Sequence, residues 1–352
     1  MDSMDDVIIE RRGSAAIIRL NRPKALNSLT LPMVRVIAPA LENFAADPAI
    51  ASVIAMGEGE RGFCAGGDIR LLHRSGKEGT DEAETFWREE FLLNHAISRY
   101  PKPYIVLMDG ITRGGGVGLS AHGSHRVVTE RTRLAMPETG IGYFPDVGAT
   151  WLLPRTPGEA GTWMGLTGLT IKAADVIHAG FADHCVVSST LPALVDAISA
   201  LPAAASAAEI HARIKTMAAD AGESRLAANR EIIDRAFSAD TVEDILQALA
   251  DEPGEFAAEA VGVIASRSPT SLKLTLRLLR AGRASANLAE CLNRELGVCK
   301  GILYNHDFYE GVRAAVIDKD RNPKWSPASL SEVTAADIDR FFVPAQPPLF
   351  AS

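Results

Sequence analysis

A chain of 352 residues, 47% hydrophobic and 23% charged, matches an ordinary globular protein and excludes disordered, collagen-like and membrane-spanning classes. It has room for one large α/β domain with a helical extension or for two modest domains. A net charge of −8 leaves no basic footprint for nucleic acid, and no apolar run nears the roughly 20 residues needed to cross a bilayer. Neither nucleic acid nor a membrane is therefore an expected partner. The amino terminus, MDSMDDVIIE, is acidic where a secretory leader is basic then apolar and a transit peptide is Arg-rich, which reads as cytoplasmic. Cys64, Cys185, Cys291 and Cys299 lack metal-ligand spacing and read as buried free thiols, so no metal is expected.

VIIE (7–10) and AAIIRL (15–20) flank Arg11-Arg12-Gly13-Ser14 and predict a hairpin. Leu31, Val34, Ile37, Ala38 and Leu41 fall at helical spacing over 31–44, ahead of Asp47-Pro48. SVIAM (52–56) predicts a strand, 82–98 a helix, and YIVLM (104–108) a buried strand, so ββα units with mixed sheets are expected. Beyond Gly168 helices are predicted over 173–177, 191–201, 207–219, 228–237, 242–250 and 272–281. These patterns divide the chain into a core over 1–200, a helical region over 201–343 and a tail over 344–352 with three prolines, free or lying on the surface. The alanine-rich link near 202–208 is the candidate boundary, although a simple turn would fit it equally well.

Glycine concentrates in three segments: Gly62-Phe63-Cys64-Ala65-Gly66-Gly67-Asp68, Gly114-Gly115-Gly116-Val117-Gly118, and Met136-Pro137-Glu138 through Phe144-Pro145-Asp146-Val147-Gly148. Glycine allows unusual φ values and close approach of a ligand oxygen, and free N–H groups are expected where the second segment opens a helix. One N–H from each of the first two segments would suit a carbonyl that gains negative charge.

VIAMGEGERGFCAGGDI, GITRGGGVGLS and MPETGIGYFPDVGATWLLPR, in this order, with Asn21-Arg22-Pro23-Lys24-Ala25-Leu26-Asn27-Ser28 ahead of them, resemble the crotonase superfamily, also called the enoyl-CoA hydratase/isomerase family. The resemblance implies an α/β fold, a spiral of ββα repeats followed by a helical carboxy-terminal region, acting on acyl-CoA. It implies an oxyanion hole from the Gly67 and Gly115 amides, with Ala25, Leu26 and Asp68 along the coenzyme A arm. A trimer or hexamer is the inherited assembly, and no cofactor beyond the substrate's own coenzyme A is implied.

Hydratases of this family carry a glutamate after the triple glycine, where this chain has Gly118, and a glycine where it has Asp146. Glu138 is kept. Glu138 with Asp146, Phe86-Trp87-Arg88-Glu89-Glu90, the 306–314 segment HDFYEGVRA and Asp318-Lys319-Asp320 resemble the branch that hydrolyses 3-hydroxyisobutyryl-CoA, and by extension 3-hydroxypropionyl-CoA, in valine breakdown. There the residues matching Glu90, Gly115, Glu138 and Asp146 line the substrate site. Glu138 would attack the thioester or activate water; Asp146 would orient it or pass a proton to the departing thiolate; Glu90 would meet the β-hydroxyl. Plainer roles stand beside these: a helix-start charge for Glu138, a helix cap for Asp146, a solvated face for Glu90. An enoyl-CoA hydratase or isomerase, and a catalytically silent acyl-CoA-binding protein, are the alternatives.

Overall fold

The computed structural model describes residues 6–351. Two compact units interleave along the chain. The first takes the residues up to Gly67, Leu92–Leu134 and Ile171–Arg225; the second takes Asp68–Phe91, Ala135–Thr170 and everything from Leu226.

The first unit is built on a six-stranded sheet. Strands β1 (Val7–Arg12) and β2 (Ala15–Leu20) form the predicted antiparallel hairpin, in register from Val7 opposite Leu20 to Arg12 opposite Ala15. Next come β3 (Ser52–Gly57), β4 (Gly62–Cys64), β5 (Tyr104–Met108), β6 (Ile111–Arg113), β7 (His125–Thr129), β8 (Arg133–Ala135) and β9 (His184–Val186). The large sheet runs β1-β2-β3-β5-β7-β9 and a small one runs β4-β6-β8. From β2 to β9 the neighbours in the large sheet are parallel. A parallel sheet is covered on both faces, which is why SVIAM and YIVLM are continuous apolar runs instead of alternating ones.

On one face Ile17, Ile54, Ile105, Leu107, Val127 and Val186 pack with Leu194, Val195 and Ile198 of the Leu191–Ser199 helix and with Ile210 and Ile214 of the Ala207–Lys215 helix. The alanine-rich link is a turn inside this unit: Ala205 N–H donates to Pro202 O at 2.9 Å, and Ser206 with Glu209 forms a capping box for the next helix. The Leu31–Ala46 helix starts where Thr30 accepts from the Met33 amide, and it buries Met33, Val34, Ile37 and Leu41.

The second unit is mostly helical, as its apolar spacing predicts. Ser268 and Pro269 open the Pro269–Ala284 helix, whose buried side includes Leu272, Leu276 and Leu279. Among the helices that escaped the sequence pattern are Glu255–Ala265, Leu288–Ile302 and His306–Val312. In the second of these Gly297 and Gly301 weaken helix propensity. Both are small for a reason visible in the packing, since a Cβ at Gly301 would stand 2.9 Å from Phe341 and one at Gly297 would strike the Val343 carbonyl. The proline-rich end then lies along this unit. Arg88 donates to Pro347 O at 2.8 Å, Asn293 donates to Phe350 O at 2.9 Å, and the Leu349 and Phe350 amides donate back to Asn293 Oδ1. Among the described residues no helix is long and apolar enough to cross a membrane.

Ile54 is completely buried at the centre of the sheet, whereas Ile9 on the edge strand is 37% exposed. Ile54→Ala is expected to cost about 2–5 kcal/mol in urea unfolding, and Ile9→Ala within about 0.5 kcal/mol. Equal costs would show that this sheet face is not the core.

Candidate active site

In the first unit, β4 leads into Ala65-Gly66-Gly67 and β6 into Gly114-Gly115-Gly116. Gly66 has φ +107°, a conformation closed to most side chains. Its carbonyl accepts from Leu29 N–H at 2.8 Å, and Ala65 N–H donates to Leu26 O at 3.0 Å. A Cβ on Gly66 would lie 3.6 Å from the Gly115 nitrogen and 3.7 Å from Gly114 Cα, so the two glycine turns run side by side. One on Gly116 would collide with the Cys64 carbonyl. The Gly115–Ser120 helix begins here with Gly114 as N-cap, and the first amides of a helix have no acceptor within it. Gly115 carries such an amide.

Ala25 and Leu26 end the short turn Pro23–Ala25, with Leu26 at φ 53° and Asn27 at φ 55°. Asn27 holds this loop: Oδ1 accepts from the Arg22 amide at 2.9 Å, and Nδ2 donates to Glu58 O and Gly62 O, each at 3.0 Å. Asn27 stands in the resembling segment without an assigned role. Its tolerance of left-handed φ was the available signal.

The carboxylates belong to the second unit. Asp68 caps the Ile69–Glu78 helix, accepting from Arg70 N–H at 3.2 Å. Glu138 opens the Glu138–Ile141 turn after Pro137, and its carbonyl accepts from Tyr143 N–H at 3.0 Å. Glu138, Asp146 and Glu90 are only 6%, 7% and 2% exposed. Glu90 therefore does not lie on a solvated face, although the charges around it made that reading reasonable. Arg88 and Glu84 pair with one another on the same helix, at 2.8 Å, leaving Glu90 to point inward.

Tyr143 ties this cluster together. Its hydroxyl donates to Asp146 Oδ2 at 3.1 Å and lies 3.0 Å from Cys299 Sγ. Its ring stacks on Phe144, with centroids 4.9 Å apart, and faces Trp87 at 6.3 Å. In this apolar setting burial raises the proton affinity of Asp146 to about 7, against the opposing hydrogen bond from Tyr143. Burial, and then the Asp146 charge, holds Glu90 well above the usual carboxylate range. Asp146 is not a side-chain cap. The helix after it starts at Ala149 with Gly148 as N-cap; the Gly148 and Thr150 amides donate to Glu295, and the Ala149 amide donates to the Asp146 backbone carbonyl at 2.8 Å. Tyr143, Cys299 and Glu295 were missed as members of this cluster, because nothing local in the sequence links residue 143 to 295 or 299. Among the described residues no group of three or more His, Cys, Asp or Glu side chains is arranged to hold a metal ion.

The family model described as enoyl-CoA hydratase/isomerase matches residues 15–342. The 3-hydroxyisobutyryl-CoA hydrolase, mitochondrial, of Rattus norvegicus is 46% identical over 96% of this chain and 88% of its own length. The Homo sapiens protein of the same name is 45% identical over 97% and 89%. Among solved structures, a carnitinyl-CoA dehydratase from Mycobacterium thermoresistibile superposes with a TM-score of 0.93 at 42% identity, covering 98% of both chains. An enoyl-CoA hydratase from Rhodobacter sphaeroides gives 0.88 at 39%, covering 98% of this chain and 100% of its own. The mitochondrial names overturn the cytoplasmic reading of the amino terminus, whose residues 1–5 lie outside those described. Compartment is set by a separable address segment, and the make-up of the residues that begin a folded core does not report it. With the match spanning nearly its whole length, the chain belongs to the enoyl-CoA hydratase/isomerase family, also called the crotonase superfamily, whose members act on acyl-CoA substrates.

Proposed function

We propose that this protein hydrolyses the thioester of 3-hydroxyisobutyryl-CoA, or of a similarly short β-hydroxyacyl-CoA such as 3-hydroxypropionyl-CoA, to the free hydroxy acid and coenzyme A. One observation carries the reading beyond the relatives' names: a buried pair of carboxyl groups, Glu90 and Asp146, with raised proton affinity in a chain that has Gly118 where a hydratase has its first glutamate. Adding water across a double bond needs that glutamate for proton transfer. Splitting a thioester needs a nucleophile, an oxyanion site and a proton for the thiolate.

The Gly67 and Gly115 amides take the oxyanion role, gripping the carbonyl oxygen more strongly as it becomes negative. Glu138 either attacks the thioester carbon, forming an anhydride that water then opens, or draws a proton from the attacking water. Asp146, poised near neutrality, carries a proton to the departing thiolate. Glu90, whose proton affinity burial raises, meets the β-hydroxyl. A substrate lacking that hydroxyl leaves a buried polar group unmatched, at a cost of about 1–3 kcal/mol. Ala25, Leu26 and Asp68 lie along the coenzyme A arm. No cofactor or metal enters this chemistry, and a trimer or trimer pair is the assembly that the family suggests.

A hydratase or isomerase is the second reading, favoured by the names of the two structural neighbours. A panel of acyl-CoAs separates the two: free thiol should appear with 3-hydroxyisobutyryl-CoA, while crotonyl-CoA should keep its double-bond absorbance. Loss of that absorbance without thiol would reject the hydrolase. Glu138→Gln should lower kcat by about 10²–10⁴-fold while coenzyme A still binds; unchanged turnover would remove Glu138 from the mechanism.

Asp146 also predicts a pH dependence of stability. Its folded-state proton affinity, about 7, exceeds that of an unfolded aspartate near 3.9. Between these values the folded state binds the extra proton, so the contribution of Asp146 is complete below about pH 4 and is lost as pH rises to about 7. Asp146→Asn should therefore gain on the wild type by on the order of 1 kcal/mol per pH unit across that window. Parallel urea midpoints at pH 4, 5.5 and 7 would reveal it. A constant difference would mean that Asp146 is not held in its acid form.

A further inference from the structure

Glu295 has no part in the chemistry above, yet it is completely buried. It projects from the Leu288–Ile302 helix. Its Oε2 accepts from the Gly148 amide at 2.7 Å, and its Oε1 accepts from the Thr150 amide at 3.0 Å and the Thr150 hydroxyl at 2.5 Å. These donors open the Ala149–Leu152 helix, directly after Asp146.

The turn between them is an unfavourable one. Val147 is β-branched and sits at φ 54°, followed by Gly148 at φ 81°. A non-glycine residue held there is strained and persists only where its surroundings over-determine it. A carboxylate is the side chain that meets the need. Its two acceptor oxygens serve all three donors, whereas a glutamine has one oxygen and would turn its NH2 against an amide. Asp146 is held at the other end by the Tyr143 hydroxyl. Tyr143 sets one oxygen of that carboxyl and Glu295 sets the backbone that carries it.

We propose that Glu295 is a positioning residue, which fixes the Asp146 carboxyl by clamping the Val147-Gly148 turn from the Leu288–Ile302 helix. The proposal rests on the reading of Asp146 as a member of the hydrolytic site. It goes beyond that reading in assigning a function to a carboxylate that meets no substrate.

The test uses the full chain with Glu295→Gln, Asp146→Asn and the double variant. Two measurements are made: steady-state hydrolysis of 3-hydroxyisobutyryl-CoA, and hydrogen exchange of the peptide spanning 146–152. Glu295→Gln should lower kcat about 10–100-fold, as expected for a displaced reacting group, with KM within about threefold. The same peptide should exchange faster. In the Asp146→Asn background the second substitution should cost less than about threefold, because the group it positions is already gone. An undiminished loss in that background, or unchanged kcat, overturns the proposal. If Glu295→Gln does not fold, Thr150→Val removes one donor and keeps the carboxylate; a kcat loss confined to the Asp146 background supports the proposal and an additive one rejects it. Should the wild type release no thiol at all, the hydrolase reading fails separately. Exchange then decides the clamp alone, faster in Glu295→Gln if it exists and unchanged if it does not.

Discussion

Glu90, Asp146 and Glu295 are among the carboxyl groups buried in one helical unit, where an ionised side chain is costly. The protein answers that cost differently at each. Glu295 is given three donors, Asp146 is given the Tyr143 hydroxyl, and Glu90 has an oxygen, Oε1, with no hydrogen-bond partner among the described residues. On the proposed reading, this gradation from fully satisfied to unsatisfied separates a group that holds the structure from groups kept ready to exchange protons or meet a ligand. The surrounding packing follows from it. Trp87, Phe144 and Phe308 enclose Tyr143, and the dryness that they impose keeps Asp146 near neutrality instead of near pH 4.

In the first unit the constraint is steric. Gly66 is held at φ +107°, a conformation that side chains rarely adopt, and a Cβ on Gly116 would collide with the Cys64 carbonyl. Glycine at these positions follows from the backbone path, and the path follows from β4 and β6 pairing in parallel, Gly62 opposite Ile111. Asn27 completes the arrangement with one side chain that satisfies three backbone groups from three segments.

Much of this was legible in the sequence where the signal is periodic or local. The hairpin, the strands at 52 and 104 and the helix from 82 to 98 fall where apolar spacing put them. So did most of the helices beyond residue 168, to within a few residues. The glycine segments stood out because backbone proximity leaves a compositional trace. What was not legible is long-range: Tyr143 beside Cys299, or Glu295 beneath Gly148, depends on helices that meet only after folding. The Leu288–Ile302 helix was itself obscured, since Gly297 and Gly301 answer to contacts with Val343 and Phe341 and not to helix propensity. Glu90 shows the same limit from the other side. Its neighbours are charged, and only the three-dimensional packing reveals which way it turns.

The last residues of the chain bear on this arrangement through Arg88. Its guanidinium reaches the Pro347 carbonyl from the same helix that, two positions on, carries Glu90. Residues 347–350 are thus a strap fastened on the helix that carries Glu90, with Asn293 as its second buckle.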